Sequence, residues 1–456
     1  MQNKQYKKLL KQMLSIKSIS TDPIFKPEIE KMVGWLADLF AERGFVVKVV
    51  RNYGNPIVVA DYLVDKKLPT CLVYGHYDVQ PANIEDGWSN QPFELTEKNG
   101  RLYGRGVVDN KGQVLIHINS VLELIKEKNL AFNVKFMIEG DEETGSSLME
   151  KFVKDNQGLL LSDFCLISDG EMNIECPVIE SGFRGGFNST LTITTSSTDL
   201  HSGIYGGAVP SAAHEMARVI ASLFNDDGSV RVPGFYDDVD VVGEVLETNN
   251  QTIPFDEKDY LTIAGVKRLT LDKGIKNVVT QTGLTPTIQV TGLQTGYMGE
   301  GYRNSIPGKA SAKINFRLVR SQDNTKVMEA VTRHIRGVLP DYAEFTFRMD
   351  NPFSGVKLDL QSKEVKRTKL LLEKIYGKQC FFKFSGGGLP IATLFSEILR
   401  IPCVLVPLAN EDCRMHATDE NYDLVYLTKA MEFSKRFLGA AEKRAVVGRT
   451  SKSNWD

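Results

Sequence analysis

Short apolar runs rich in β-branched residues alternate with helical repeats through the first part of the chain. The runs at 70–74, 133–139 and 164–168 have the length and composition of buried strands, whereas 26–43 and 112–128 carry apolar residues at helical spacing. Such alternation is typical of a layered α/β fold, in which helices cover both faces of a sheet. The sequence therefore predicts an α/β domain at the start of the chain.

The pattern changes near Gly182. The next residues are rich in threonine and alternate between apolar and polar side chains, as half-exposed antiparallel strands do. Two further alternating runs lie at 285–291 and 310–319, and helical patterns lie at 211–224 and 323–338. Two helices on a few antiparallel strands indicate a small α+β unit.

The α/β pattern returns after Ser362, so we interpret the chain as one α/β domain that is interrupted by an inserted α+β domain. The first part of the α/β domain is expected at 1–185, the insertion at 186–352 and the second part at 353–456. Within the insertion, the acidic residues 225–281 are predicted to be irregular. The last residues, 442–456, are predicted to form a polar tail.

Composition argues against several classes of partner and location. The formal net charge of −2 gives no electrostatic case for binding nucleic acid or a membrane surface. No run of about 18 apolar residues is present, so no transmembrane helix is expected. The basic N-terminus lacks the apolar core of a signal peptide, and we expect a cytoplasmic protein.

The six cysteines are scattered, with no Cys-x-x-Cys pair among them. Several lie in apolar runs, so we expect buried free thiols rather than a disulfide framework or a zinc knuckle. They are Cys71, Cys165, Cys176, Cys380, Cys403 and Cys413.

The first candidate site is the string YGHYDV, which follows an apolar strand. His76 and Asp78 are two residues apart, so on an extended segment both side chains leave the same face. A histidine that binds a metal commonly needs a carboxylate on its other ring nitrogen, and Asp78 is a candidate for that position. On spacing alone, a surface pair of histidine and aspartate remains the alternative.

The second candidate is GRGVVDNKG, where glycines surround a single acidic residue, Asp109, at the mouth of the helix predicted at 112–128. A phosphate-binding loop is the alternative interpretation. The spacing is not Gly-x-Gly-x-x-Gly, however, and the carboxylate of Asp109 would repel a phosphate group.

The third candidate is EGDEETGS, at the end of a buried strand. Its four carboxylates belong to Glu139, Asp141, Glu142 and Glu143. Such crowding costs electrostatic repulsion unless a cation neutralises it. A bland acidic loop is the alternative, but such loops usually lie between polar segments, and this one joins an apolar strand to a helix.

Asp169 in ISDG and His416 in MHATDE complete the pattern, because each follows another buried strand. Any one of these residues could be structural, but carboxylates and imidazoles at the ends of five apolar segments together indicate a metal centre. Oxygen and imidazole ligands without thiolates suit zinc, manganese or cobalt.

Taken in order, YGHYDV, GRGVVDNKG, EGDEETGS, ISDG, DLHSG and MHATDE resemble the metallopeptidase family of carnosinase, cytosolic non-specific dipeptidase, carboxypeptidase G and succinyl-diaminopimelate desuccinylase. The strings GHYDVQPANIEDGW and LYGRGVVDNKG are most similar to the dipeptidase and carnosinase branch. The resemblance implies an aminopeptidase-like catalytic domain with a mostly parallel, mixed sheet, interrupted by an inserted lid and dimerisation domain.

The resemblance also implies two divalent metal ions per subunit. His76, Asp109 and Asp169 would hold one ion. Asp109, Glu143 and His416 would hold the other, so that Asp109 bridges the pair.

Further roles follow from the same resemblance. Glu142 would be the general base and later the acid, and Asp78 would orient His76. The peptide bond between Asp109 and Asn110 would be cis.

In the insertion, the resemblance implies that His201 reaches the active site of a neighbouring subunit and stabilises the oxyanion, so a homodimer is expected. Asn304 would contact the substrate, and Arg317 would grip a substrate carboxylate, unless it is simply an arginine on a strand face. The chain departs from the dipeptidase pattern Arg-x-Gly-Gly-Ser-x-Pro, because Phe384 replaces the arginine and Gly388 replaces the serine at substrate-binding positions.

Four hypotheses follow, and the last of them, a nucleotide-binding α/β protein, is disfavoured by the acidic residues at the strand ends where phosphates would lie. The leading one is a dinuclear metallopeptidase that cleaves dipeptides or short peptides with a free C-terminal carboxylate. Phe384 and Gly388 keep open a deacylase or desuccinylase that acts on N-acyl amino acids. A non-catalytic binding homologue is the third, and Glu142 argues against it, because only catalysis requires a base that is not a ligand.

Overall fold

The computed structural model describes residues 2–173, 176–270, 276–386 and 390–440. The predicted polar tail at 442–456 and Gly388 lie outside the described residues. The chain forms two compact units. The first unit comprises Met1–Ser181, Leu358–Lys383 and Leu394–Asp456, and the second comprises Gly182–Lys357 and Phe384–Thr393. The sequence-based boundaries at 185/186 and 352/353 fall close to these, but that division left Phe384–Thr393 in the α/β domain.

Helices and strands are numbered in chain order. Those before the second unit, together with the strand that enters it, are α1 (Gln2–Leu14), α2 (Lys26–Ala41), β1 (Val46–Val50), β2 (Ile57–Tyr62), β3 (Thr70–His76), β4 (Thr96–Lys98), β5 (Arg101–Tyr103), α3 (Lys111–Lys126), β6 (Asn133–Glu139), α4 (Met149–Asp155), β7 (Phe164–Ile167) and β8 (Val178–Phe183). The next are β9 (Gly185–Thr194), β10 (Leu200–His201), α5 (Ser202–Tyr205), α6 (Ala212–Ser222), α7 (Glu244–Thr252), α8 (Glu257–Ala264), α9 (Lys276–Gly283), β11 (Thr287–Thr295), β12 (Ser305–Ile306), β13 (Lys309–Leu318), α10 (Asn324–Val338), β14 (Glu344–Phe353) and β15 (Val356–Lys357). The last are α11 (Lys363–Tyr376), β16 (Phe381–Ser385), α12 (Pro390–Leu394), β17 (Cys403–Leu405), β18 (Asn421–Asp423) and α13 (Leu424–Leu438).

The first unit is built on one mixed sheet with the strand order β1–β2–β6–β3–β7–β17–β8. The central pairs β6–β3, β3–β7 and β7–β17 are parallel, and the pairs on either side of them are antiparallel. The mixed α/β fold predicted from the sequence is confirmed. Because the carboxyl ends of parallel strands meet at one edge, the loops after β3, β6, β7 and β17 converge there.

Helices of this unit form where the apolar spacing predicts them. In α2, the buried side chains recur every three or four residues, and each contributes about 1.5–3 kcal/mol of burial free energy. Gly44, with φ of 86°, follows the last turn of this helix in the left-handed conformation that glycine favours. Nearly all of α3 is buried, and this helix fixes the loop that carries Asp109.

The second unit has an antiparallel sheet in the order β11–β13–β9–β14. Its core includes the stacked rings of Phe187 and Phe316, whose centroids lie 4.4 Å apart, and buried residues of α6 and α10. A separate two-stranded ribbon pairs β10 with β12.

The prediction that 225–281 is irregular was wrong in part, because α7 and α8 lie within this range and α9 begins in it. These helices are short and lack a strong apolar repeat, and α8 has caps at both ends. Asp256, for example, accepts a hydrogen bond from the backbone N–H of Asp259, and Gly265 ends α8 in the left-handed region.

All six cysteines lie in the described part of the chain as buried thiols outside any disulfide, as the sequence predicted. Among the described residues, no helix is long and apolar enough to span a membrane.

Candidate metal centre

Three predicted ligands meet at the carboxyl edge of the sheet in the first unit. Nε2 of His76 lies 3.1 Å from Oδ1 of Asp109 and 3.6 Å from Oδ2 of Asp169. His76 ends β3, Asp169 follows β7, and Asp109 lies in the loop before α3. Their candidate ligand atoms lie within 4.8 Å of one another, which is close enough for one ion to contact all three.

A second group of ligands shares Asp109 with the first. Nε2 of His416 lies 2.7 Å from Oδ2 of Asp109 and 3.1 Å from Oε2 of Glu143. Asp109 thus presents one carboxylate oxygen to each group, as a bridging ligand would. The side chain of His416 is 55% exposed, whereas that of His76 is fully buried, so the second group lies nearer to solvent.

Asp78 connects the two groups from behind. Nδ1 of His76 lies 3.1 Å from the backbone carbonyl oxygen of Asp78, with which it forms a hydrogen bond, and 3.2 Å from Oδ1 of the same residue. Its Oδ2 accepts hydrogen bonds from the hydroxyl of Ser20 at 2.6 Å and from the backbone N–H of Glu143 at 3.1 Å. Asp78 therefore orients a residue of each ligand group, His76 through its backbone carbonyl and Glu143 through its carboxylate.

The four carboxylates that follow β6 separate into two pairs. Glu139 accepts hydrogen bonds from Tyr74 and Ser146, and Asp141 accepts them from the backbone and side chain of Asn55. These two carboxylates brace the strand end and the loop. Glu142 and Glu143 remain for the centre, and only Glu143 belongs to a ligand group.

Sequence reasoning gave no role to Glu420, although it lies in the string MHATDE. Its fully buried carboxylate accepts hydrogen bonds from the backbone N–H groups of Gly106, Val108 and Asp109, and it forms an ion pair of 2.8 Å with Arg105. Glu420 therefore fixes the loop that presents Asp109. The sequence did offer one signal for this role. Glu420 is the second acidic residue of MHATDE, four positions after the candidate ligand His416, and it had no assigned role there.

A buried polar chain supports the same loop from the core. The Asp109–Asn110 peptide bond is cis, as the resemblance implied. The side chain of Asn110 donates a hydrogen bond to the carbonyl oxygen of Ser168 at 2.7 Å. The ring of His117 lies 2.9 Å from the hydroxyls of both Ser168 and Ser434, so α3 and α13 both hold the residue that precedes Asp169.

In the second unit, the structure brings His201 and Asn304 together on the ribbon of β10 and β12. His201 pairs with Ser305, and the backbone N–H of Ser202 donates to the carbonyl oxygen of Asn304 at 3.0 Å. Both His201 and Asn304 are exposed. Arg317 lies apart from them on β13, half-buried, with its guanidinium 6.0 Å from the ring centre of Phe353.

Comparison with known proteins places the chain in a family. Residues 72–440 match the family described as Peptidase family M20/M25/M40. The chain belongs to this peptidase family. Beta-Ala-His dipeptidase of Rattus norvegicus is 29% identical to this peptidase over 437 residues, which cover 91% of the chain and 88% of the relative. Cys-Gly metallodipeptidase dug1 of Schizosaccharomyces pombe is 28% identical over 445 residues, which cover 93% and 92%.

Solved structures agree with this assignment. A metallo-carboxypeptidase of the M20 family, Sso-CP2 from Sulfolobus solfataricus, matches with a TM-score of 0.82 and 28% identity, and the match covers 95% of this peptidase and 98% of that chain. Human carnosine dipeptidase 1 matches with a TM-score of 0.77 and 29% identity over 97% and 96% of the two chains.

The electrostatics of the peptidase's candidate ligands favour positive charge. Hydrogen bonds with Asp109 and Glu143 raise the pKa of His416 to about 10. Although burial would raise the pKa of Asp109, hydrogen bonds with His416 and His76 hold it below its usual range. Carboxylates that hold protons on an imidazole in this way form a site that a divalent cation would occupy in place of those protons.

The donor set therefore fits two divalent ions. Each group offers one imidazole nitrogen and two carboxylate oxygens, a combination that suits zinc, manganese and cobalt. Glu142 belongs to neither ligand group. Burial raises the pKa of its carboxyl to about 8, and the negative charges of Asp169, Asp109 and Glu143 add to this shift. The charge of His76 opposes it.

Proposed function

We propose that the peptidase is a dinuclear metal-dependent hydrolase that cleaves the amide bond of dipeptides or short peptides with a free C-terminal carboxylate. One observation carries this proposal: two ligand groups share Asp109, and Glu142 lies beside them without belonging to either. The names of the relatives, a Beta-Ala-His dipeptidase and a Cys-Gly metallodipeptidase, support dipeptides as the substrate class.

The chemistry divides between the metals and the chain. Bound ions would polarise the scissile carbonyl and lower the pKa of the attacking water. Glu142 takes the proton of that water and passes it to the leaving amine, a role that suits a buried carboxyl that is not itself a ligand. Asp78 keeps Nε2 of His76 aimed at the ligand group through its contact with Nδ1.

The tautomer of His201 supports a role in binding the oxyanion. The backbone N–H of Gly203 donates a hydrogen bond to Nδ1 of His201 at 3.0 Å. Because Nδ1 accepts, the neutral ring carries its proton on Nε2 and can donate it to a developing negative charge.

The positions of His201 and Arg317 favour action across two copies of the chain. Strand β13 runs from Lys309, beside the ribbon that carries His201, to Arg317, which pairs with Gly186. At about 3.3 Å per residue, these ends lie roughly 25 Å apart. A dipeptide spans only about 7 Å, so it cannot contact both residues of one chain.

Exposed apolar residues near His201 support a homodimer through the inserted unit. They flank β10 and β12 in the chain, and Met298 and Tyr302 are 89% and 100% exposed. Apolar side chains that are exposed in one segment commonly mark an interface, and the occupant we propose is a second copy, which would bring its own His201. We define the apolar patch as Ile204, Tyr205, Tyr297, Met298 and Tyr302.

Zinc is the metal we propose first, with manganese or cobalt as alternatives that the same donor atoms accept. We also propose a cytoplasmic location, because six buried thiols without a disulfide are typical of a reducing compartment.

Action on N-acyl amino acids is the second candidate function, and Phe384 is the observation that favours it. In the second unit, this apolar side chain is buried next to Gly182 and Gly283, at the position where dipeptidase relatives carry an arginine. A pocket without that charge could accept an uncharged acyl group.

One experiment separates these functions. The purified protein is stripped with a chelator, reloaded separately with zinc, manganese or cobalt, and assayed on a panel of dipeptides beside N-acetyl and N-succinyl amino acids. We expect hydrolysis of dipeptides that is lost on chelation and restored by at least one metal. Hydrolysis that survives complete metal removal would contradict the metal mechanism, and activity on acylated amino acids alone would replace the dipeptidase assignment with the deacylase.

A further inference from the structure

Glu180 is a buried carboxylate that the chemistry described so far does not use. It lies on β8, is 5% exposed, and pairs through the backbone with Leu405, the last residue of β17. This pairing places Glu180 at the sheet edge where the carboxyl ends of β3, β7 and β17 meet. Its carboxylate forms no hydrogen bond or ion pair with any residue in the described part of the chain.

The other buried carboxylates of this edge differ from Glu180. Glu420, Glu139 and Asp78 each accept hydrogen bonds from at least two groups of the chain. A carboxylate that braces the fold needs such donors, because a buried polar group without a partner costs free energy. Burial raises the pKa of Glu180 to about 7, although the positive charge of Lys383 opposes this shift. A ligand that brings its own hydrogen-bond donors would supply the partners that the Glu180 carboxylate lacks.

The carboxylate of Glu180 lies close to the backbone of Gly170, the residue after the candidate ligand Asp169. A Cβ atom placed on Gly170 would lie 3.4 Å from Oε1 and 3.5 Å from Oε2 of Glu180. Gly170 follows the candidate ligand Asp169, so the acid reaches the backbone next to the first ligand group. The charged groups that act on Glu180 are Lys383, Asp169 and Glu171.

The surroundings of Glu180 are negative overall. Lys383 is the one cation among these groups, and its ammonium donates to the backbone carbonyl of Glu171 at 3.4 Å rather than to a carboxylate. Glu171 accepts a hydrogen bond from the thiol of Cys413 at 3.1 Å. The corner therefore offers two acidic side chains and favours a cationic ligand with several N–H donors.

We propose that Glu180 binds the protonated α-amino group of the substrate and so selects substrates with a free N-terminus. The inference rests on the proposed function, because it assumes that the scissile amide lies at the two ligand groups. In a dipeptide, one carbon separates the α-amino nitrogen from the scissile carbonyl. An amide at Asp109 and Asp169 therefore places the amine within a few ångströms of them, and the carboxylate of Glu180 lies close to Gly170, which follows Asp169.

This assignment bears on the choice between dipeptides and N-acyl amino acids. An N-acyl substrate has no amine at this position, so it would leave Glu180 buried and unpaired. A site built around a buried polar group strongly rejects a ligand that lacks the matching partner, because the cost of desolvating that polar group is not recovered.

The test compares Ala-Ala with propionyl-Ala, which differ only in the amino group. We expect the wild-type enzyme, loaded with metal, to favour Ala-Ala in kcat/KM by about 10-fold to 100-fold, the range for a hydrogen bond to a charged group. In Glu180→Gln, which keeps the shape but removes the charge, the ratio should fall by about 10-fold. In Glu180→Leu it should approach one. The control Glu150→Gln removes an exposed carboxylate from α4 and should leave the ratio unchanged.

Two further measurements make each outcome decisive. The Kd of Ala-Ala and of propionyl-Ala is measured by calorimetry on metal-loaded Glu142→Gln, with and without Glu180→Gln, and bound metal is counted in each variant. A preference for Ala-Ala that disappears with Glu180→Gln supports the inference even if neither compound is hydrolysed, an outcome that would refute the proposed function alone. An unchanged ratio, or a loss of bound metal in Glu180→Gln, overturns the role in amine binding.

Discussion

The candidate ligand groups of the first unit and the β10–β12 ribbon of the second unit are organised in opposite ways. His76, Asp109 and Glu143 have side chains that are at most 6% exposed, and Asp78 or Glu420 holds each of them in place. His201 and Asn304 are exposed, and a single hydrogen bond from Gly203 orients the His201 ring.

The difference teaches which parts of the site one chain can complete alone. A preorganised group of ligands costs little to assemble when a cation binds, so the first unit needs no partner for that step. An exposed histidine such as His201, flanked by the apolar patch, becomes buried only when another surface covers it. We therefore expect metal binding to be a property of the single chain and full turnover to be a property of the dimer.

Asp109→Asn should have the largest effect. Asp109 contributes an oxygen to both ligand groups, so its loss should empty both sites and bring hydrolysis of Ala-Ala below detection. Bound metal is counted by mass spectrometry on the dialysed protein, and Asp155→Asn, which removes an exposed carboxylate, serves as the control. Retention of both ions by the folded variant would show that Asp109 is not the bridge.

His201→Asn should lower kcat by about 10²-fold to 10³-fold while bound metal is unchanged, because it removes one donor to the oxyanion. His214→Asn, on the exposed face of α6, is the matched control.

Subunit mixing then tests whether His201 acts across the dimer. A heterodimer of His201→Asn with Glu142→Gln contains one complete site only if the histidine comes from the partner, so it should have about half the wild-type activity. A heterodimer as inactive as its parents would place both residues in one chain.

Glu420→Gln should have an intermediate effect, on metal affinity rather than on the dimer. Its carboxylate accepts from three backbone N–H groups of the loop that presents Asp109, and an amide cannot satisfy all of these donors. We expect affinity for zinc to fall by about 10-fold to 100-fold. Competition with a chromophoric chelator measures it, and Glu432→Gln, an exposed residue of α13, should bind zinc as the wild type does.

His117 should have the smallest effect, confined to acid stability. Burial lowers its pKa to about 3, so it is neutral in the folded chain and gains a proton on unfolding below about pH 6.5. The neutral His117 ring therefore favours the folded state fully above pH 6.5, and this contribution to the free energy of unfolding is lost as the pH falls toward 3. When the pH is lowered from 7 to 5, the free energy of unfolding of the metal-free protein should fall by about 2 kcal/mol more in the wild type than in His117→Gln. Equal losses in the two proteins would show that His117 does not titrate on unfolding.

The sequence predicted the strands of the first unit and the groups at their ends because both follow local rules. Apolar runs of strand length form buried strands, and the acidic or imidazole residues after them must meet when the strands are parallel. His76 and Asp169 are separated by 93 positions in the sequence, yet the parallel pair β3–β7 brings them together.

The residues that the sequence left without a role depend on packing. Glu420 accepts a hydrogen bond from Gly106, which lies 314 positions away in the sequence, and no local pattern encodes that contact. Glu180 is a single acid inside an apolar strand, so only its burial and its missing partners make it a candidate. The short helices α7 to α9 lack a strong apolar repeat, and the caps of α8 act over single turns.

The central claim is that Glu142 moves protons beside two bound metals without holding either. The most direct test is Glu142→Gln, reloaded with zinc and compared with Glu150→Gln for bound metal and for hydrolysis of Ala-Ala. The account predicts two ions per chain in both variants and a fall in kcat of about 10²-fold to 10⁴-fold in Glu142→Gln alone. Near-normal turnover of Glu142→Gln with both ions bound would contradict it.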